Sequence, residues 1–272
     1  MENTNMDEYF SGKKLYGDAF SRKEIEGWYD SEAEAFAELY GKDVAKNSFY
    51  EYHNLNIFYG FNYLKKQESF DNVLGFGSSW GYEFLPIIDK IKKLTIIESS
   101  IQTRSEILGN IKPEYKSPDK EGKINFPDNS FDLITCFDTL HHIPNVTFVL
   151  NELFRVLKPG GYFLLHEPIH SMGDWRTFRS GLTTNERGIP KDYLLNIIKE
   201  ANIKIVKRSF YACMTSLFIR IFKGFRFSHT KWYIYIDCCL AKLFSFNIHY
   251  HATNKWQRIA PASIFYVLKK PL

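Results

Sequence analysis

Four short apolar segments alternate with helical segments in the middle of the chain. The apolar segments read DNVLGFG at 71–77, KKLTIIES at 92–99, FDLITCF at 131–137 and GGYFLLHEP at 160–168. Segments of this length, bounded by glycine or by acidic residues, predict buried β-strands. YEFLPIIDKI and VTFVLNELFRVL lie between them and have the composition of helices. Strands that alternate with helices predict βαβ units and a parallel sheet, an α/β fold.

The two flanks of this region differ from it. Residues 20–70 predict helices, and Ser21 with Glu24 three residues later suggests a capping box. Beyond Pro168 the sequence predicts a helix over KDYLLNIIKEAN, a strand over IKIVKRSFY and a last strand over ASIFYVLKK, with further helices before that last strand. The predicted organisation is an N-terminal helical cap (1–70), a Rossmann-like core (71–170), and a C-terminal part (171–272). The C-terminal part combines a substrate-side segment, the last core strands and a basic, aromatic helical insertion.

Charge is distributed unevenly along the 272 residues. Met1–Lys46 carries 11 acidic and 6 basic residues, whereas Lys204–Leu272 carries 12 basic residues, one acidic residue and 15 aromatic residues. Such a segment favours an anionic partner or peripheral membrane contact, although a solvated basic face would have the same composition. Within it, SLFIRIFKGFRF fits a basic amphipathic helix at a membrane or a lipid-linked substrate, or a cap packed over an active site.

Hydrophobic segments and cysteine spacing restrict the class of protein further. No stretch of about 18 uncharged apolar residues is present, and the N-terminus shows no secretory signal pattern, which together predict a cytoplasmic protein. The four cysteines form no CxxC pair, so we expect neither a zinc knuckle nor a disulfide framework. No metal site is predicted.

The segment VLGFGSSWG, residues 73–81, suggests a ligand loop. Gly75 and Gly77 follow the first strand, where the absence of a side chain lets backbone approach a ligand closely. Glu98 ends the second strand, at the place where an acidic residue can accept hydrogen bonds from ribose hydroxyls. A dinucleotide loop needs a third glycine where this chain has Trp80. S-adenosylmethionine has no phosphate and does not need that cradle.

Together with FPDNSFDLITCFDTLHHIPN and LNELFRVLKPGG, this loop resembles the class I S-adenosylmethionine-dependent methyltransferases, in particular the ubiquinone/menaquinone group. The resemblance covers about residues 70–168. It implies a seven-stranded, mostly parallel sheet with a final antiparallel strand, and S-adenosylmethionine as the cofactor. The cofactor-binding residues that it implies, with Asp138 nearby, are Gly75, Phe76, Gly77, Ser78, Gly81, Glu98, Ser99, Cys136 and Phe137.

The chain also departs from this family. Gly75 stands where the family has an acidic residue, and Ser79 stands where it has a loop glycine. Another residue must therefore hold the methionine ammonium group. The run SMGDWR followed by GLTTNERGIP is similar to a subset of the family associated with surface-polysaccharide biosynthesis.

Transfer to an oxygen acceptor needs a general base, and the histidines near the predicted strand ends are candidates. They are His141, His142, His166 and His170, of which His141 and His166 are preferred. Asp174 and Arg176 would bind a polar acceptor, and Arg176 or Arg179 would suit an anionic one. We expect O-methylation of a small or glycan-type acceptor, which could be anionic or lipid-linked. A non-catalytic binding protein and a quinone methyltransferase stay open, and a nucleic-acid substrate is disfavoured because no nucleic-acid-binding module is recognised.

Overall fold

The computed structural model of the chain describes residues 6–39, 50–175, 177–213, 215 and 227–272. The amphipathic helix expected over SLFIRIFKGFRF falls outside these ranges except for its last residue, Phe227. Arg176 also lies outside the described residues.

A seven-stranded sheet forms the centre of the fold. Its strands are β1 (Phe70–Phe76), β2 (Ile91–Ile97), β3 (Glu114–Lys116), β4 (Phe131–Phe137), β5 (Leu157–Pro168), β6 (Lys204–Tyr211) and β7 (Ser263–Lys269). The strand order is β3-β2-β1-β4-β5-β7-β6. Strand β7 runs antiparallel to both of its neighbours, and the other pairs are parallel. The predicted sheet is confirmed.

Helices cover both faces of this sheet. The α-helices are α1 (Met6–Phe10), α2 (Arg22–Leu39), α3 (His53–Tyr59), α4 (Val146–Val156), α5 (Lys191–Glu200) and α6 (Lys231–Leu243). The 3-10 helices are Phe61–Leu64, Tyr82–Lys90, Leu140–His142, Phe227–His229, Ser245–Asn247 and Trp256–Arg258. The predicted helices before and after the core are therefore present, including α6 in the insertion that precedes β7.

Two local features follow directly from the sequence. Helix α2 begins after Ser21, whose backbone N–H and hydroxyl group both donate to Glu24 Oε2, at 2.8 and 2.6 Å. The first of these is one of the two hydrogen bonds of a capping box. The helix expected across residues 48–66 is interrupted at Gly60. A side chain at Gly60 would place its Cβ 2.7 Å from the Phe265 ring, so this close approach of the backbone to β7 needs glycine.

The pleat of the strands divides the core into two layers. Leu74 and Ile134 point to the face that α4 and α5 cover. Val73 and Leu133, their neighbours in sequence, point to the face that α3 and the helix Tyr82–Lys90 cover. Successive side chains of a strand alternate between faces, so the apolar segments of the core strands supply both layers. The carboxyl ends of β1 and β4, where the strand order reverses, lie side by side, which is where α/β sheets bind ligands.

Candidate active site

The loop after β1 turns sharply at Gly77, which has a φ of 69°. Its backbone N–H donates to Ile97 O at 2.9 Å, which fixes the loop against the end of β2. A Cβ at Gly77 would lie 2.3 Å from Thr139 Cγ2, and one at Gly75 would lie 2.4 Å from Ser78 Oγ. Packing inside the protein therefore already requires both glycines, whether or not a ligand approaches them.

Glu98 lies directly beside this loop, as the strand topology predicts. Its Oε2 accepts a hydrogen bond from the Ser79 N–H at 2.9 Å, and its Oε1 accepts from the Ser100 N–H at 3.0 Å and from Ser99 Oγ at 3.2 Å. A carboxylate offers about four lone-pair sites, so one is free and the Ser99 hydroxyl can be displaced from another. Glu98 can thus accept hydrogen bonds from two ribose hydroxyls while both backbone amides hold it in place.

Glu83 is a second carboxylate at the loop, and it is only 4% exposed. Thr135 Oγ1 donates to Glu83 Oε1 at 3.4 Å, and Thr135 is the residue of β4 that pairs with Gly75. Burial raises the pKa of Glu83 to about 7. The carboxyl group of Glu83 therefore lies next to position 75, where the family that the sequence resembles has its acidic residue.

A cavity of about 320 Å³ opens at the carboxyl ends of β5 and β6, between α3 and α6. Most of its wall is apolar or aromatic and includes Tyr52, Leu55, Tyr59, Tyr211, Phe227, Tyr233 and Ile234. Four ionisable side chains interrupt this wall: Asp138, His141, His170 and Asp237. The cavity can hold a small acceptor with apolar faces and a few polar groups.

Asp138 is the first residue after β4, and its side chain is 43% exposed at the cavity. Its φ of 49° is unusual for a residue other than glycine. Nδ1 of His166 lies 3.3 Å from Asp138 Oδ1 and 2.8 Å from the Tyr211 hydroxyl. His166 is 1% exposed and stacks between the rings of Phe137 and Phe265. His166 therefore stands behind Asp138 rather than on the cavity wall.

His141 has a carboxylate near each ring nitrogen. Nδ1 lies 2.8 Å from Glu167 Oε2, and Nε2 lies 3.7 Å from Glu186 Oε1. Burial alone would lower the pKa of His141, but the hydrogen bond to Glu167 and the surrounding carboxylate charges raise it above its ordinary value. The adjacent His142 places its Nδ1 3.0 Å from Glu32 Oε2.

Three other predicted residues, Cys136, Asp174 and Arg179, lie outside the cavity wall that the described residues form. The side chain of Cys136 is fully buried in the core, because alternation along β4 points it to the same layer as Ile134. Its contact with the cofactor stays a prediction. Asp174 lies in a turn and is not part of the wall that the described residues form. The guanidinium group of Arg179 donates to four backbone carbonyl oxygens, a clamp for its own loop rather than an anion site.

Comparison with known proteins gives consistent results. Residues 74–165 match the family described as a methyltransferase domain. A sterol 24-C-methyltransferase of Yarrowia lipolytica is 35% identical over 85 residues, 29% of this chain and 22% of that protein. A ubiquinone/menaquinone biosynthesis C-methyltransferase of Hydrogenovibrio crunogenus is 38% identical over 65 residues, 24% of each chain. This chain thus matches less than a quarter of the length of these two relatives.

Solved structures show the same fold. The N-methyltransferase NodS of Bradyrhizobium japonicum, in complex with S-adenosyl-L-homocysteine, aligns with a TM-score of 0.52 at 13% identity, over 89% of this chain and 99% of that one. A putative methyltransferase of Bacillus halodurans aligns with a TM-score of 0.54 at 19% identity, over 78% of this chain and 97% of that one. Within the described residues, no helix combines the length and apolarity needed to cross a membrane.

Proposed function

We propose that this chain, whose residues 74–165 match a methyltransferase domain, is a class I S-adenosylmethionine-dependent methyltransferase that transfers the methyl group of its cofactor to a hydroxyl group of a small acceptor. The proposal rests on which residues lie together at one edge of the sheet. The Gly77 loop with Glu98 beside it, and Asp138 at the cavity, follow the carboxyl ends of the neighbouring strands β1, β2 and β4.

The residues of the loop fit this cofactor. Glu98 would bind the ribose hydroxyls, and Glu83 would supply the negative charge that compensates the methionine ammonium group in place of an acid at position 75. When bound, S-adenosylmethionine supplies an electrophilic methyl group on a sulfonium centre. The chain's main contribution is then to hold the acceptor oxygen in line with that group.

Asp138 is the residue best placed to accept the proton of the acceptor hydroxyl. Its carboxylate is exposed at the cavity. Burial alone would raise the pKa of Asp138, but the neighbouring His166 lowers it below the ordinary value, so the carboxylate is ionised and can accept a proton. His141, by contrast, has both ring nitrogens beside carboxylates. We therefore assign the base to Asp138, with His166 as its positioning residue.

For the acceptor, a glycan-type molecule is consistent with the cavity. Aromatic side chains such as Tyr52 and Tyr233 can pack against sugar rings, while Asp138 and His170 can bind hydroxyl groups. A second candidate is carbon methylation of an apolar ring. The largely apolar wall favours it, as do the two curated relatives, which are named as C-methyltransferases.

Peripheral membrane contact is a further part of the proposal, because helix α6 carries a suitable exposed surface. Trp232, Tyr235 and Leu243 are each 58% or more exposed, and the same helix carries Lys231 and Lys242 next to Trp232 and Leu243. Aromatic and basic side chains on one helix favour an anionic lipid surface. Cosedimentation with anionic and with neutral vesicles tests this part, and equal recovery with both would refute it.

Cofactor binding is the first experiment. Calorimetry with S-adenosylhomocysteine should show micromolar binding to the wild type and at least a tenfold loss for Glu98→Ala, with Glu106→Ala, an exposed acid, as the control. Absence of binding to the wild type, or equal binding by Glu98→Ala, would contradict the proposed cofactor site. A non-catalytic binding protein would pass this test.

Methyl-labelled S-adenosylmethionine then identifies the product. Hydroxylated sugars and apolar phenols should be supplied in parallel, and the labelled atom located by mass spectrometry and NMR. A methyl ether supports oxygen transfer, and a new carbon–carbon bond supports the second candidate.

A further inference from the structure

His141, His142 and Glu186 come together at the edge of the cavity. One ring nitrogen of each histidine and one carboxylate oxygen of Glu186 all lie within 4.8 Å of one another. We propose that these three residues bind a divalent transition-metal ion, with Zn²⁺ as the ion that they suit best. We call them the His–His–Glu group.

The distances allow a metal with small adjustments. Two ligand atoms about 2.05 Å from a tetrahedral Zn²⁺ lie about 3.4 Å apart. The distance between His141 Nε2 and Glu186 Oε1 is 3.7 Å. The ligand atom of His142 lies within 4.8 Å of those of His141 and Glu186, so metal binding would draw this partly exposed side chain closer to them.

Carboxylates already orient both imidazole rings. Glu167 Oε2 lies 2.8 Å from Nδ1 of His141, and Glu32 Oε2 lies 3.0 Å from Nδ1 of His142. A proton on Nδ1 leaves the Nε2 lone pair of each ring available to a metal. Metal-binding histidines in proteins usually have such a carboxylate or carbonyl partner.

Glu186 is held in the same manner. Its Oε2 accepts a hydrogen bond from the Thr183 N–H at 3.0 Å, which leaves Oε1, the atom nearer His141, without a backbone donor among the described residues. Two imidazoles and a carboxylate, with a further position for water, form a ligand set that zinc and ferrous iron share.

The charge of the surroundings also favours a cation. Glu32, Glu167 and Glu186 bring three carboxylates to two imidazoles. Two arginines, Arg187 and Arg179, interact electrostatically with these carboxylates, so three negative charges face two positive ones within the described part of the chain. A divalent ion would offset this excess, since partly buried carboxylates need a compensating charge.

Such an ion would connect three separate parts of the chain. Through Glu32 it would reach α2, through the histidines the helix Leu140–His142, and through Glu186 the loop before α5. The site is distinct from the methyl-transfer residues assigned above and requires neither cofactor nor acceptor. It also gives each ring nitrogen of His141 a role: Nδ1 bonds to Glu167, and Nε2 would bind the metal.

The test uses the full chain, stripped with a chelator and free of S-adenosylmethionine. Titration with Zn²⁺ by calorimetry should show one ion per chain with a submicromolar Kd, and Co²⁺ should give the visible absorption of a tetrahedral site. Glu186→Gln and His142→Gln should each weaken Zn²⁺ at least about tenfold, and Glu32→Gln should weaken it about tenfold. His249→Gln, an exposed histidine outside the group, should bind as the wild type does.

The proposal is overturned if the stripped wild type takes up no ion at micromolar Zn²⁺. It is equally overturned if Glu186→Gln and His142→Gln bind Zn²⁺ as tightly as His249→Gln does. Circular dichroism of each variant shows that it is folded, and the wild-type stoichiometry does not depend on any variant. Cofactor binding is measured separately, so failure of this proposal leaves the proposed function standing.

Discussion

Replacing Glu83 with glutamine should stabilise the protein at alkaline pH. Burial raises the pKa of Glu83 from 4.5 to about 7. At about 1.4 kcal/mol per unit, ionised Glu83 costs the folded state about 3 kcal/mol relative to the unfolded chain. Glutamine keeps the shape and the hydrogen-bonding capacity of the side chain but has no charge to bury.

The sign follows from which state binds the proton more tightly. Between pH 4.5 and 7 the folded state holds the Glu83 proton while the unfolded state has lost it, so the wild type loses stability as the pH rises. Glu83→Gln lacks this contribution. The difference in unfolding free energy between the variant and the wild type should therefore grow by about 3 kcal/mol from pH 4.5 to pH 8.

Urea unfolding followed by circular dichroism at pH 5, 6.5 and 8 measures this difference. Glu106→Gln removes an exposed carboxylate and should show no comparable trend. A difference between Glu83→Gln and the wild type that stays constant over this range would refute the buried, protonated Glu83.

The same variant should weaken cofactor affinity at least tenfold if Glu83 compensates the methionine ammonium group. In the wild type, affinity should fall as the pH drops below about 7, because Glu83 is then neutral. Equal affinity of the variant and the wild type at pH 8 would remove Glu83 from the cofactor site while leaving the stability prediction intact.

Three further outcomes are expected. Asp138→Asn should lower kcat by about 10²–10⁴ with little change in cofactor Kd, which initial rates and calorimetry together measure; an unchanged kcat would exclude Asp138 as the base. Gly77→Ala should lower the melting temperature and impair cofactor binding, because its Cβ would lie 2.3 Å from Thr139 at a positive φ; a melting curve equal to the wild type would contradict this. Arg187→Met should cost about 3 kcal/mol or more in urea unfolding, because this fully buried guanidinium donates to carbonyls of Tyr16, His141, Ile143 and Pro144; a loss below about 1 kcal/mol would argue against that role.

The sheet could be predicted because its information is local. Apolar segments of strand length mark six of the seven strands. Strand β3 was not predicted, because its three residues, EYK, have no hydrophobic pattern. They form a strand only through pairing with β2. The adjacency of Gly77 and Glu98 was also predictable, since parallel strands in sequence order bring their carboxyl ends to one edge.

The rest of the site depends on tertiary contacts that no local pattern encodes. Glu186 lies 45 residues beyond His141, in a polar, turn-rich stretch, and only folding brings the two together. Glu83 is an ordinary acid in a helical segment until burial changes its pKa. The burial of the Cys136 side chain was predictable, because two-residue alternation from Ile134 already directs it into the core.

The position of β7 has a consequence for synthesis of the protein. In the sheet of the described residues β6 pairs with β7 and with no other strand, yet β6 ends at Tyr211 and β7 begins only at Ser263. A ribosome therefore produces β6 well before the strand that joins it to β5. Until β7 is made, β5 and β6 each have an edge whose backbone hydrogen-bonding groups are unpaired. Such edges are the places where chains associate wrongly. Chaperone dependence and aggregation of this protein should consequently respond most to changes in residues 263–269, far along the chain from the chemistry.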